Sequence, residues 1–232
     1  MYNYNNNYHS TQPMARGFMP KVFGWMMAGL GITAGVSYLC SPEVNPALFM
    51  KIVTGPIWLL AIVQFGLVMF YSARWQELSP AAGATIFATY SALNGLLLAP
   101  LAYIYTGASL MQTFIVAAGT FATMALYGWV TDHDLSSYSG LLTMGMFGLV
   151  ISLVVNLFFQ SSTFDLIISC VGVLIFTVLT AYNVQTLKQI SQHHFEDSQM
   201  RSRVALVGAL QLYMNLLNLF LYLLRLLGQR RD

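Results

Sequence analysis

Charged side chains are missing from six long stretches of this chain, and these stretches predict its architecture. The uncharged stretches lie between Lys21 and Glu43, Lys51 and Arg74, Glu77 and Asp132, Asp134 and Asp165, Asp165 and Lys188, and Arg203 and Arg225. Five of them hold 21 to 30 residues, and the third holds 54. About 20 apolar residues span the hydrocarbon core of a bilayer. The 54-residue stretch therefore fits two helices, with a turn at residues 105–109. The pattern predicts an all-α polytopic membrane protein with seven transmembrane helices.

The same pattern, with its capping and breaking residues, predicts where the helices begin and end. We predict helices over residues 20–39, 55–73, 80–105, 112–130, 135–159, 164–187 and 204–227. Asp134 is in place to cap the fifth helix, and Pro100 should kink the third. The domain prediction is a flexible Asn/Tyr-rich N-terminal tail over residues 1–19, a seven-helix domain over 20–228 and a short basic tail over 229–232. Residues 1–12 lack the basic start and apolar core of a signal peptide, so the first helix should act as an uncleaved insertion signal.

Composition excludes several classes of function. The chain is 57% hydrophobic and 8% charged, whereas a soluble domain carries about 25% charged residues. Seven helices with short loops use nearly all 232 residues, which leaves no length for a soluble catalytic domain. The net charge of +2 comes without a basic block, so we expect no nucleic-acid partner. Cys40 and Cys170 fall in or beside apolar segments and are interpreted as packing residues rather than a disulfide.

The distribution of Lys and Arg gives conflicting indications of membrane orientation. With seven crossings and a cytoplasmic N-terminus, six basic residues lie on the cytoplasmic side and four on the far side. If the last apolar segment turned back inside the membrane, the ratio would be nine to one. The positive-inside rule therefore favours a cytoplasmic C-terminus, while the length of the last segment favours a full crossing. We predict a cytoplasmic N-terminus and leave the side of the C-terminus open.

Catalytic and metal-binding motifs are not found in the sequence. It has no Gly-rich phosphate loop, no GxSxG and no HExxH. The loop His193-His194-Phe195-Glu196-Asp197 contains ligand-type side chains, but adjacent histidines point to different sides of a helix and nothing supplies a third ligand. A solvated loop is the simpler interpretation. We therefore predict that the protein is not an enzyme and holds no metal or cofactor.

Amide side chains are the main polar groups in the predicted membrane segments. They are Gln64, Asn94, Asn156, Asn183, Gln185, Gln211, Asn215 and Asn218. Gln211, Asn215 and Asn218 are spaced four and three residues apart, so they share one helix face, which we expect to point at other helices. Hydrogen bonds between helices, worth about 0.6–2 kcal/mol each, are the simpler explanation. The alternative is a polar ion path or gate, because polar groups in membranes often mark such paths.

Several sequence blocks together resemble a known family. The blocks, from residue 16 to the end, are KVFGWMMAGL at 21–30, YSALNGL at 90–96, YGWVTDHDLS at 127–136, MGMFGLVI at 144–151, AYN at 181–183 and LYMNLLNLFL at 212–221. In this order they resemble the Bax inhibitor-1 (TMBIM) family, in its bacterial YccA/YbhL-like branch. The resemblance implies a seven-helix fold with the last helix central in the bundle, in the bacterial inner membrane.

The resemblance also implies a function, a pH-sensitive calcium leak gated by two aspartates. The matching positions here are Asn183 and Asn215, so both carboxylates are replaced by amides. A close carboxylate pair titrates as a unit, whereas amides do not titrate and can only donate and accept hydrogen bonds. We therefore expect pH gating through this pair to be absent, with Ca²⁺ as the candidate transported ion. The supporting polar positions are Tyr182, Tyr213, Gln211, Asn218 and Arg74.

A second function of another class follows from the YccA-like branch. That resemblance implies a membrane interaction protein, without transport, that modulates a membrane-bound AAA protease. The Asn/Tyr-rich tail over residues 1–12 would be the segment that the protease engages. Deleting this tail should abolish the interaction and leave any ion flux intact.

Overall fold

The computed structural model describes residues 15–192 and 197–231, and every regular element in this part of the chain is helical. The helices are α1 (Ala15–Leu39), α2 (Pro46–Thr54), α3 (Ile57–Arg74), α4 (Pro80–Leu98), α5 (Leu101–Ile104), α6 (Gly107–Val130), α7 (Ser139–Phe159), α8 (Ser162–Gln192) and α9 (Ser198–Leu227), with a 3₁₀ helix at Leu135–Tyr138. Seven spans are long and apolar enough to cross a membrane. This confirms the all-α polytopic class and the seven transmembrane helices. The tail over residues 1–12 and His193–Glu196 lie outside the described residues.

The helix boundaries depart from the prediction at five places. The helices α1 and α6 each begin five residues earlier than predicted, at Ala15 and Gly107. The helix α2 was not predicted; Asn45 caps it by accepting a hydrogen bond from the Leu48 N–H at 3.1 Å, and Pro46 occupies its first turn. The helices α8 and α9 both extend further into the polar loop than their apolar patterns. Asp197 starts α9 early by accepting a hydrogen bond from the Gln199 N–H at 2.8 Å. Caps can therefore lengthen helices beyond the span that hydrophobicity marks.

Two local predictions agree with the structure. The third span breaks at Ala99 and Pro100, which separate α4 from α5, because proline has no N–H to continue the helical ladder. Asp134 is an N-cap, although the element that it caps is the 3₁₀ helix leading into α7. Its carboxylate accepts hydrogen bonds from the Ser136 N–H at 2.9 Å and the Ser136 hydroxyl at 2.8 Å. These bonds hold the pKa of the exposed Asp134 carboxyl below its usual value.

The helix α9 is the most buried of the seven spans. It packs against α1, α4, α6 and α8, while α3 packs on α4 and α7 packs on α8. In the most apolar 18-residue segment of α9, 67% of the residues are buried, whereas the corresponding fraction is at most 33% in the other spans. The other helices expose large apolar side chains to the outside, as expected of a protein whose surroundings are lipid.

Contacts at the start of α9 fix one end of the bundle. The Lys21 ammonium donates to the Ser202 hydroxyl at 2.8 Å, and the Arg203 guanidinium donates to the Gln76 carbonyl at 2.8 Å. These contacts bring together the beginning of α1, the α3–α4 connection and the beginning of α9. We call this the Lys21 end.

Contacts after α9 lie at the other end of the bundle. The Arg231 guanidinium pairs with the Glu43 carboxylate at 2.9 Å, and the Arg231 N–H donates to the Ile104 carbonyl at 2.9 Å. Glu43 follows the end of α1, so α9 runs the full length of the bundle beside α1. The last segment therefore crosses completely rather than turning back, which places the C-terminal residues at the Glu43 end.

Candidate functional site

Close contacts between α8 and α9 set the register of this antiparallel pair. The Tyr222 ring lies against Gly172, and the Leu187 side chain lies against Gly208. A β-carbon on either glycine would meet its neighbour too closely, so the two contacts mark where α8 and α9 approach each other. These two contacts define which residues of α8 and α9 lie at the same depth.

The register places both family positions on the interface between α8 and α9. Asn215 lies seven residues, or two turns, from both Gly208 and Tyr222, so it faces α8 as they do. Asn183 lies four residues from Leu187, on the same face of α8. At this register Asn183 is level with Leu212, and the two asparagines are offset by three residues, or about 5 Å, along the helix axes.

No hydrogen bond joins the two asparagines, both of which belong to the described chain. Asn215 is buried, with 3% of its surface exposed, and its Nδ2 has no hydrogen-bond partner. Asn183 is half-buried, and its side chain makes no hydrogen bond to any described residue. The sequence allowed these amides to pair with each other at any pH, and the axial offset explains why they do not. Asn215 is thus a polar group left unsatisfied in the apolar centre of the bundle.

The structure corrects the prediction that Gln211, Asn215 and Asn218 all point at other helices. Asn215 is buried and Asn218 is half-buried, but Gln211 is exposed. Asn218 donates its Nδ2 hydrogen to the Met214 carbonyl of its own helix at 2.9 Å. The helices α4 and α8 both pack on α9 but not closely on each other in the described residues, so one stripe of α9 is left without a neighbour.

Tyr213 belongs to a separate buried cluster that joins α1, α4 and α9. Its hydroxyl lies 2.6 Å from the Thr33 hydroxyl, which is 2.9 Å from the Ser91 carbonyl. Because the Thr33 hydroxyl has one hydrogen and donates it to a carbonyl, the Tyr213 hydroxyl is the donor to Thr33. The Tyr213 ring packs edge-on against Phe87 and Tyr90, with centroids 5.5 and 6.0 Å apart. Tyr213 therefore anchors helices rather than contacting the asparagines.

The remaining supporting positions are also apart from the asparagine pair. Tyr182 is half-buried and packs against the core. Arg74 lies at the end of α3 in an exposed ion pair with Glu77 at 3.0 Å, and α3 packs on α4 rather than on α8 or α9. Within the described residues, no group of three or more His, Cys, Asp or Glu side chains could hold a metal ion.

Comparison with known proteins establishes the family. The profile described as "Inhibitor of apoptosis-promoting Bax1" matches residues 15–232. The chain belongs to the Bax inhibitor-1 family. It is 38% identical over 226 residues to the inner membrane protein YbhL of Escherichia coli K12, covering 95% of each chain. It is also 40% identical over 215 residues to an uncharacterized protein of Borreliella burgdorferi, covering 93% of each. An uncharacterized membrane protein of Streptococcus pyogenes serotype M1 is 32% identical over 214 residues, covering 91% of this chain and 92% of the relative.

In this Bax inhibitor-1 family member, the hydrogen bonding of two further polar residues is visible only in the structure. Gln185 is buried and clamps the connection before α7, accepting from the Leu135 N–H at 2.8 Å and donating to the His133 carbonyl at 2.7 Å. Thr177 carries a buried hydroxyl without a partner, whereas Thr180 bonds to the Phe176 carbonyl of its own helix at 2.8 Å. No sequence signal separates these two threonines, because both have a carbonyl four residues earlier.

Replacing Tyr213 by phenylalanine is expected to destabilise the protein by about 1 kcal/mol. The change removes the hydrogen donor to Thr33 and leaves that buried hydroxyl with one bond fewer. Denaturant unfolding in detergent micelles, followed by circular dichroism, would measure the loss. The matched control is Tyr103→Phe, because Tyr103 is 64% exposed; equal losses in both variants would contradict the assignment.

Proposed function

We propose that this protein is an ion-leak protein of the bacterial inner membrane, with calcium as its ion, whose path runs along the α8–α9 interface past Asn183 and Asn215. The observation that carries the proposal is the unpaired Nδ2 of the buried Asn215. We place the Lys21 end on the cytoplasmic side, because six of the ten Lys and Arg residues belong to the segments at that end.

The cost of burying an amide supports a functional role for Asn215. A buried polar group without a hydrogen bond costs about 1–3 kcal/mol in proteins, and lipid supplies no water to relieve it. Asn215 sits between Leu212 and Leu219 of α9, both fully buried. The free Nδ2 only donates hydrogen bonds, so in this place it can hold a water molecule in the path, whereas a cation would contact the amide oxygen. Amide carbonyl oxygens are also among the ligands that calcium accepts in proteins.

The chemistry of the pair determines the proposed pH response. Two carboxylates would titrate together and change the charge of the path, whereas Asn183 and Asn215 keep the same neutral form at every physiological pH. Flux along this path should therefore be independent of pH, unlike the pH-sensitive leak that the resemblance implies for the aspartate form.

The test is calcium flux into proteoliposomes at about pH 6 and about pH 8, on either side of the histidine pKa. We expect the natural sequence to conduct equally at both pH values, and the double variant Asn183→Asp with Asn215→Asp to conduct differently at the two. The control is Asn156→Asp with Asn218→Asp, which adds two carboxylates to transmembrane helices at positions other than these two. It should leave the flux independent of pH.

Two results would overturn the proposal. If neither the natural protein nor the double aspartate variant conducts at either pH, the leak function is wrong, and modulation of a membrane AAA protease becomes the function to test. If the natural protein conducts with a strong pH dependence, the sensor lies elsewhere, and the asparagine pair does not govern the response.

A further inference from the structure

A groove separates α1 from α6 on the outside of the bundle. Both helices pack on α9, but they do not pack closely on each other in the described residues. Two cavities of about 410 and 630 Å³ occupy the space between them. Leu30 and Phe114 line both cavities, so the two cavities adjoin along one groove. It runs from Pro20 and Trp129 at the Lys21 end to Ser37 at the other end.

The lining of this α1–α6 groove is almost entirely apolar. Its floor includes Leu216 and Leu217 of α9, and one wall carries the small side chains of Ala118 and Ala122 of α6. Small side chains give the groove depth without adding polar groups. Binding sites for small molecules commonly have volumes of about 300–1,000 Å³, so a flexible hydrocarbon chain can be accommodated along the groove. The groove offers few hydrogen-bonding partners, which excludes a polar ligand along most of its length.

Two cations, Lys21 and Lys188, lie at the Lys21 end of the groove. Lys21 follows Pro20 in sequence, and Lys188 lies one turn after Val184, which also lines the groove. The Lys188 ammonium donates to the Trp129 carbonyl at 2.6 Å and lies 5.8 Å from the centre of the Trp129 ring. Neither lysine is in an ion pair with any described residue.

The free donors of these lysines complement a phosphate group. An ammonium has three hydrogens to donate, and the described contacts use one on each lysine, toward Ser202 and Trp129. Lysines near a membrane surface attract anionic lipid headgroups, and tryptophan is common at the level of those headgroups. The residues that line the groove carry no charge at either end, and the two lysines lie beside it rather than in its wall. The groove is therefore apolar along its length, with Lys21 and Lys188 beside its mouth at the Lys21 end.

We propose that the α1–α6 groove binds one anionic phospholipid of the surrounding bilayer. One acyl chain lies against Leu30 and Phe114, and the phosphate lies between Lys21 and Lys188. The groove borders Leu216 and Leu217 of α9, whereas Asn215 faces α8. The lipid site is thus separate from the proposed ion path and stands independently of it.

Native mass spectrometry of the full chain in detergent tests the proposal, with phosphatidylglycerol and phosphatidylcholine of identical acyl chains as probes. We expect one phosphatidylglycerol to bind about tenfold more tightly than phosphatidylcholine, because each lysine near the headgroup favours the anionic lipid. The variant Lys21→Gln with Lys188→Gln should bind the two lipids equally. Ala122→Phe should weaken both, because its ring fills the groove.

Matched controls separate the groove from the rest of the surface. Lys51→Gln removes an exposed cation from α2, which follows Glu43 at the other end of the bundle, and Ala61→Phe adds a ring to the exposed side of α3. Both variants should bind phosphatidylglycerol like the natural chain. Thermal unfolding should show that all variants are folded. Unchanged phosphatidylglycerol binding in Ala122→Phe would overturn the proposal, as would equal binding of the two lipids by the natural chain. A second copy of the protein bound in place of lipid would also overturn it.

Discussion

Replacing Gly128 by alanine is expected to destabilise the protein by about 3 kcal/mol or more, at or above the top of the usual range for overpacked cores. Gly128 lies in α6 directly against the backbone of Ala181 in α8, and a β-carbon there would overlap the Ala181 carbonyl and Cα. The obstacle is backbone, which cannot rotate away as a flexible side chain can. The helices would have to separate along one of the main packed pairs of the bundle.

The matched control for this prediction is Gly119→Ala in the same helix. A β-carbon at Gly119 meets nothing within 4 Å, so the substitution should be neutral or should stabilise the helix by up to about 1 kcal/mol. Both variants would be unfolded in detergent by denaturant and followed by circular dichroism. Equal stability of the two variants would show that α6 and α8 are not in close contact at Gly128 and Ala181.

Replacing Asn215 by leucine is expected to raise stability and abolish calcium flux. The substitution removes a buried amide whose Nδ2 has no partner, so a gain of about 1–3 kcal/mol is expected if leucine fits the site. The same change makes the proposed path apolar, and apolar constrictions stop ions by excluding water, so flux should fall by at least about tenfold. Few substitutions in a membrane bundle should move stability and flux in opposite directions.

Asn218→Leu provides the comparison on the same helix. The Nδ2 of Asn218 bonds to the Met214 carbonyl, so its replacement removes a satisfied group and should bring no comparable gain in stability. Its flux should stay close to that of the natural chain. Proteoliposome flux and denaturant unfolding of the two variants would be measured in parallel. If Asn215→Leu conducts normally, the proposed path does not pass this position.

Local features of the sequence were sufficient to predict most of the helices. The long uncharged stretches predicted seven spans because the hydrocarbon core of the bilayer excludes charged side chains. The thickness of that core and the helical rise per residue together set how many residues each span needs. Pro100 and Asp134 identified a break and a cap, since both effects act within a few residues. The helix α2 was missed because its nine residues are too few to span a membrane, and its cap at Asn45 was not recognised.

Contacts between helices could not be predicted in the same way. The spacing of Gln211, Asn215 and Asn218 predicted one shared face, but not that Gln211 would lie outside the packed helices.

The sequence therefore determined the class and the number of spans, because hydrophobicity acts locally, while the candidate site residues came from its resemblance to the family. Only the tertiary structure decided that α9 crosses the whole bundle, that Tyr213 bonds to Thr33, and that the two asparagines are offset and unpaired. It also decided that α1 and α6 leave a groove between them. These features depend on the register and approach of distant segments, which are set by side-chain packing at positions such as Gly172 and Gly208.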